Sequence, residues 1–92
     1  MTEYEFQRHG EVIAKVPIND DLKVDAKGLV LDKFAKYVRG QKVKKYRVII
    51  YKDFYRALFG RDGTERERTM EFKEGDLRKA KKSKRNNDVI NI

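Results

Sequence analysis

Two stretches of the sequence carry positive charge and no negative charge. Residues 33–47, KFAKYVRGQKVKKYR, contain seven Lys and Arg side chains, and residues 77–85, LRKAKKSKR, contain six. Together they hold 13 of the 23 basic residues and none of the 15 acidic ones, so the rest of the chain has a net charge of −5 against +8 for the whole. Charge that is separated in this way creates a directed field, which is typical of proteins that bind polyanions.

Phosphate groups are the polyanion chemistry that these two stretches suit best. A Lys or Arg placed on a nucleic-acid phosphate releases a condensed counterion, which gives affinity without sequence specificity. We therefore expect a protein that binds DNA or RNA through phosphate contacts from both stretches. The first stretch would contribute Lys36, Arg39, Lys42, Lys44, Lys45 and Arg47. The second would contribute Arg78, Lys79, Lys81, Lys82, Lys84 and Arg85.

Aromatic residues lie between the cations of the first stretch. Tyr37 and Tyr46 are the candidates for contacts with bases or sugars, because aromatic faces stack on unpaired bases. Core packing is the competing interpretation of both tyrosines.

The residues that enzymes use are sparse or scattered. His9 and Ser83 are the single histidine and serine, and cysteine is absent, which excludes a thiolate metal site. The acidic-x-Lys triplet at residues 71–73 is found in metal-dependent nucleases, but residues 21–23 and 25–27 match the same pattern, as chance predicts in so charged a chain. We predict no enzyme, no metal site and no cofactor, and keep a metal-dependent nuclease as a remote alternative.

A partner protein is the second interpretation of the charge pattern. A small, highly charged domain could be an adaptor or an inhibitor that docks on another protein through its charged surfaces. Uncovered strand edges would also suit a homodimer. No apolar run approaches the roughly 20 residues that span a membrane, and the N-terminus is polar. We expect a cytoplasmic protein with no membrane contact.

The chain length suits one domain over residues 1–92, with a basic segment at 76–87 that is either a surface helix or mobile until a partner orders it. Residues 3–8 and 11–16 have strand-like patterns around His9–Gly10, which predicts an N-terminal hairpin ended by Pro17. Leu31, Phe34, Ala35 and Val38 follow the helical i, i+3, i+4, i+7 spacing, which predicts an amphipathic helix over about 26–39 that ends at Gly40.

The next segment has two interpretations. Residues 46–51, YRVIIY, are β-branched and aromatic, which favours a central strand, followed by a short helix over 53–59. The alternative is one helix over 42–59, which would complete a helix-turn-helix core. Residues 64–72 alternate and predict a further strand, and residues 88–92 suit a last one. We therefore expect a small α+β domain with an antiparallel sheet, one amphipathic helix and one or two short helices.

Overall fold

The computed structural model describes residues 4–80, in which five antiparallel strands form one sheet. The elements in chain order are β1 (Glu11–Pro17), β2 (Lys23–Val38), β3 (Gln41–Ile50), α1 (Lys52–Phe59), α2 (Glu65–Arg68), β4 (Thr69–Lys73), a 3-10 turn (Glu74–Asp76) and β5 (Leu77–Lys79). The predicted α+β fold is therefore wrong, because most of the described chain is sheet and only α1 has the length of a real helix.

The strand order is β4-β3-β2-β1-β5. Strands β4 and β5 lie at opposite edges of the sheet, although only the three residues of the 3-10 turn separate them in the chain. The four steps from Lys73 to Leu77 span at most about 14 Å, which is less than the roughly 19 Å across five flat strands, so the sheet has to curl until its two edges come close at that turn. The inner surface of the curled sheet holds the core, which includes Val12, Ala14, Ala26, Val30, Val48 and Ile50.

The helix predicted over about 26–39 is wrong, because these residues belong to the 16-residue strand β2. Strand β2 pairs with β1 on one side and with β3 on the other, and this pairing outweighs the local helical spacing. A β-bulge explains the misleading pattern. Val30 pairs with Val48 and Asp32 pairs with Arg47, which leaves Leu31 without an opposite residue. The side chains that face inward therefore change from even to odd positions there, and the period of two is lost.

The helix-turn-helix alternative is also wrong, because residues 41–50 form strand β3 and not a helix. The β-branched run at 46–51 predicts this strand. The predicted short helix over 53–59 is confirmed as α1, whose end is capped by Gly60 in the left-handed conformation.

The predicted N-terminal hairpin is wrong. Strand β1 forms and ends at Pro17, but its partners are β2 and β5, while residues 4–10 are not in a strand.

The C-terminal predictions have mixed outcomes. The strand predicted over 64–72 begins later, since Glu65–Arg68 is a helical turn with a capping box from Thr64 and Glu67. Of the basic segment 76–87, residues 77–79 are strand β5 rather than a helix or a mobile segment. The strand predicted over 88–92 lies outside the described residues.

Candidate nucleic-acid interface

The first basic stretch is a β-hairpin. Residues 33–47, which we call the basic arm, comprise the last six residues of β2, the turn at Arg39–Gly40 and most of β3. Val38 pairs with Gln41, so the turn has two residues. Both have positive φ angles, 53° for Arg39 and 78° for Gly40, as a type I′ turn requires. The helical spacing before Gly40 predicted this glycine as the end of a helix, whereas a glycine between two β-prone runs is also a hairpin signal.

The far end of the basic arm extends past its neighbouring strands. Pairing between β1 and β2 ends at Leu29, and pairing between β3 and β4 begins at Lys45. The four pairs from Ala35–Lys44 to Val38–Gln41 therefore have no flanking strand within residues 4–80. At about 3.4 Å per residue, this free ribbon extends roughly 13 Å.

Carboxylates neutralise part of the charge at the base of the basic arm. Glu71 on β4 accepts hydrogen bonds from Lys36 Nζ at 3.2 Å and from Lys45 Nζ at 3.0 Å. The hydrogen bonds from Lys45 and then Lys36 lower the pKa of the Glu71 carboxyl. Arg47 lies 4.0 Å from Asp32, and Lys44 lies 4.0 Å from Glu74.

The distal arm, which we define as residues 36–42, contains basic residues but no acidic ones. All seven of its residues, KYVRGQK, are exposed, and they include three cations and no acid. No carboxylate within residues 4–80 lies in ion-pair distance of Arg39 at the tip. Lys36 is paired with Glu71, so the charge of the first stretch faces solvent chiefly at the turn, where Gln41 is a further exposed polar residue that the predicted site did not include.

The two candidate tyrosines have opposite environments. Tyr37 is 73% exposed and lies on the distal arm. Tyr46 is 0% exposed, and its ring packs edge-on against Phe6 at 5.3 Å between ring centroids. A base cannot reach Tyr46 in this fold, so we withdraw it as a base or sugar contact. Phe34 is half-buried below Lys36 and Arg47, whose charged groups lie 5.7 and 5.4 Å from its ring centroid.

The second basic stretch begins on another strand. Arg78 and Lys79 belong to β5, which pairs with β1 at the edge of the sheet away from β4. Arg78 is paired with Asp25 at 2.9 Å. The structure therefore does not bring these two residues into the β2–β3 hairpin. Lys81, Lys82, Lys84 and Arg85 lie outside the described residues.

The acidic groups do not converge in the part of the chain that the structure describes. Across residues 4–80, no three His, Asp or Glu side chains are placed to hold a metal ion. Glu71 of the acidic-x-Lys triplet is held by two lysines, and Asp25 by Arg78. The same residues include no helix that is long and apolar enough to cross a membrane.

Comparison of the chain with protein families, with curated proteins and with solved structures found no match.

Proposed function

We propose that this protein binds nucleic acid through the basic arm and does not catalyse a reaction. The observation that carries the proposal is the distal arm, where three cations and an exposed tyrosine lie on a ribbon with no acid among its seven residues. Glu71 on β4 pairs with Lys36 near the base of this ribbon, whereas Arg39 at the turn can approach a phosphate backbone with no carboxylate of residues 4–80 in ion-pair distance. Three further cations lie nearer the rest of the sheet, namely Lys44, Lys45 and Arg47. Each would exchange its carboxylate partner for a phosphate group and so strengthen the contact.

Two double variants with equal charge change test the proposal. Arg39→Glu with Lys42→Glu reverses two charges on the distal arm. Lys15→Glu with Lys52→Glu reverses two exposed charges on β1 and α1, as the matched control. Fluorescence anisotropy with labelled DNA and RNA oligomers measures affinity at several salt concentrations. If the arm makes three to five phosphate contacts, the wild-type plot of log K against log salt should have a slope of about −3 to −4.5.

We expect the arm variant to bind at least about 10-fold more weakly than the control at the lowest salt, because it loses local contacts as well as net charge. Equal losses in the two variants would contradict a role for the arm. An intact oligomer after incubation with Mg²⁺ is expected, and cleavage would favour the nuclease. Absence of binding to every oligomer would contradict the proposal and favour an acidic protein partner.

A further inference from the structure

We infer that the distal arm enters the major groove of B-form duplex DNA. This inference rests on the proposed function and adds the class of nucleic acid and the groove. Three properties of the arm support it: its dimensions, its polar chemistry and its shortage of exposed aromatic rings.

The dimensions of the arm match one groove. Two paired strands lie about 4.8 Å apart, and the major groove of B-DNA, about 12 Å wide and 8.5 Å deep, admits a two-stranded ribbon. The four pairs beyond the flanking strands reach farther than that depth. The minor groove, about 6 Å wide, would have to be widened at a cost in DNA deformation before it could take the ribbon.

The side chains of the distal arm suit the floor and walls of that groove. Lys36, Arg39 and Lys42 can contact phosphates, or guanine O6 and N7, which are acceptors in the major groove. Gln41 has the amide geometry that pairs with the adenine edge. Val38 is 47% exposed at the pair next to the turn, where an apolar side chain can contact a thymine methyl group.

The other classes of nucleic acid fit less well. Single strands bind on platforms of aromatic rings, whereas Tyr37 is the one aromatic residue of the distal arm and Phe34 is covered by two cations. An RNA duplex has a deep and narrow major groove that side chains cannot read. We therefore expect single strands and RNA duplexes to bind through phosphate contacts alone.

A groove-blocked duplex tests the inference directly. Anisotropy titrations would compare a 20-base-pair DNA duplex with the same duplex whose cytosines carry glucosylated 5-hydroxymethyl groups. The sugars fill the major groove and leave the phosphate charge unchanged. The matching RNA duplex and the single-stranded DNA complete the set. We expect the plain DNA duplex to bind at least about 10-fold more tightly than each of the others, which is the effect of losing one good base-edge contact.

Equal affinity for the plain and glucosylated duplexes would overturn groove insertion and leave the proposed function in place. Tightest binding to RNA or to the single strand would do the same. Absence of binding to all four would overturn both. The control variant Lys15→Glu with Lys52→Glu should keep the preference for the plain duplex, and Arg39→Glu with Lys42→Glu should lose it.

Discussion

Tyr46 and Glu74 form a partly buried hydrogen-bonded pair that fastens the N-terminal segment to the sheet. The Tyr46 hydroxyl donates to a Glu74 carboxylate oxygen and accepts from the backbone N–H of Phe6. The backbone N–H of Glu5 donates to the same carboxylate at 3.0 Å. Burial, and then the bond to Glu74, raise the pKa of Tyr46 to about 12, so its hydroxyl stays protonated and can donate at neutral pH.

The charge of Glu74 should make the fold sensitive to acid. Burial of Glu74 opposes ionisation, but hydrogen bonds from Tyr46 and the Glu5 N–H outweigh it and lower the pKa from the model-compound value of 4.5. Because the folded-state pKa is depressed, the stabilisation is present above about pH 4.5 and is lost as the pH falls through the folded-state value.

We therefore predict that Glu74→Gln lowers the free energy of unfolding by about 1 kcal/mol at pH 7, the difference between charged and neutral hydrogen bonds. The difference from the wild type should shrink as the pH falls from about 5 to 3. Urea unfolding followed by circular dichroism across this range measures both effects. Glu65→Gln, at an exposed position on α2, is the control. A pH-independent difference would contradict the prediction.

At the scale of elements, a close approach of backbones explains one glycine of β2. A Cβ added at Gly28 would lie 2.7 Å from the carbonyl oxygen of Ile49 and 2.7 Å from Cγ1 of Val48. The contact with a backbone atom cannot be relieved by rotating a side chain. Gly28 therefore lets the backbones of β2 and β3 approach closely, two residues before the bulge that begins at Val30.

Gly28→Ala should lower the free energy of unfolding by about 1–3 kcal/mol, as overpacked core positions do. Gly75→Ala is the matched control, because a Cβ there meets nothing within 4 Å. That control should change stability by less than about 1 kcal/mol. Urea midpoints of the two variants test the prediction, and similar midpoints would show that the sheet relaxes around the methyl group.

The turn of the basic arm has an arginine at a position where asparagine is favoured. Arg39 has a φ of 53°, and at the first position of a type I′ turn asparagine is preferred over arginine. We predict that Arg39→Asn raises the free energy of unfolding by about 0.5–1 kcal/mol, because it relieves the left-handed strain. The same variant should weaken oligomer binding and make the salt slope shallower by about 0.9, the effect of one phosphate contact.

Arg39→Lys is the control for the turn, since it keeps both the charge and the strain. It should bind oligomers almost as the wild type does and leave stability unchanged. Wild-type affinity in Arg39→Asn would contradict a phosphate contact at the tip.

For the whole molecule, the distribution of carboxylates limits the field of the basic arm. Glu71 holds Lys36 and Lys45 from the neighbouring strand, which reduces their contribution to any polyanion contact. Surface ion pairs are worth about 0.2–1 kcal/mol each, so binding should strengthen by up to about fivefold for each lysine that is released.

We predict this gain for Glu71→Gln at low salt, measured by anisotropy with a DNA duplex. Glu65→Gln changes the net charge equally at an exposed position on α2 and should give a smaller gain. If the two variants gain equally, net charge alone accounts for the effect and Glu71 does not restrain the arm. A loss of affinity in Glu71→Gln would show that Glu71 instead orients the two lysines for binding.

Local patterns in the sequence predicted the elements whose signals are complete within a few residues. The β-branched run at 46–51 predicted a strand, and Gly60 correctly marked the end of α1. The sequence also determined that positive charge is concentrated at residues 33–47, since that is a property of composition alone.

Only the tertiary structure decided what residues 26–38 become and where their charges lie. Pairing with β1 and β3 makes them a strand, and the bulge at Leu31 hides the alternating pattern by reversing which positions face inward. Burial likewise separated Tyr46 from Tyr37, although both lie among cations in the sequence. The glycine at the turn is a local hairpin signal, but burial and the ends of the flanking strands depend on residues distant in the chain, so no local pattern could have shown that the hairpin extends past its neighbours.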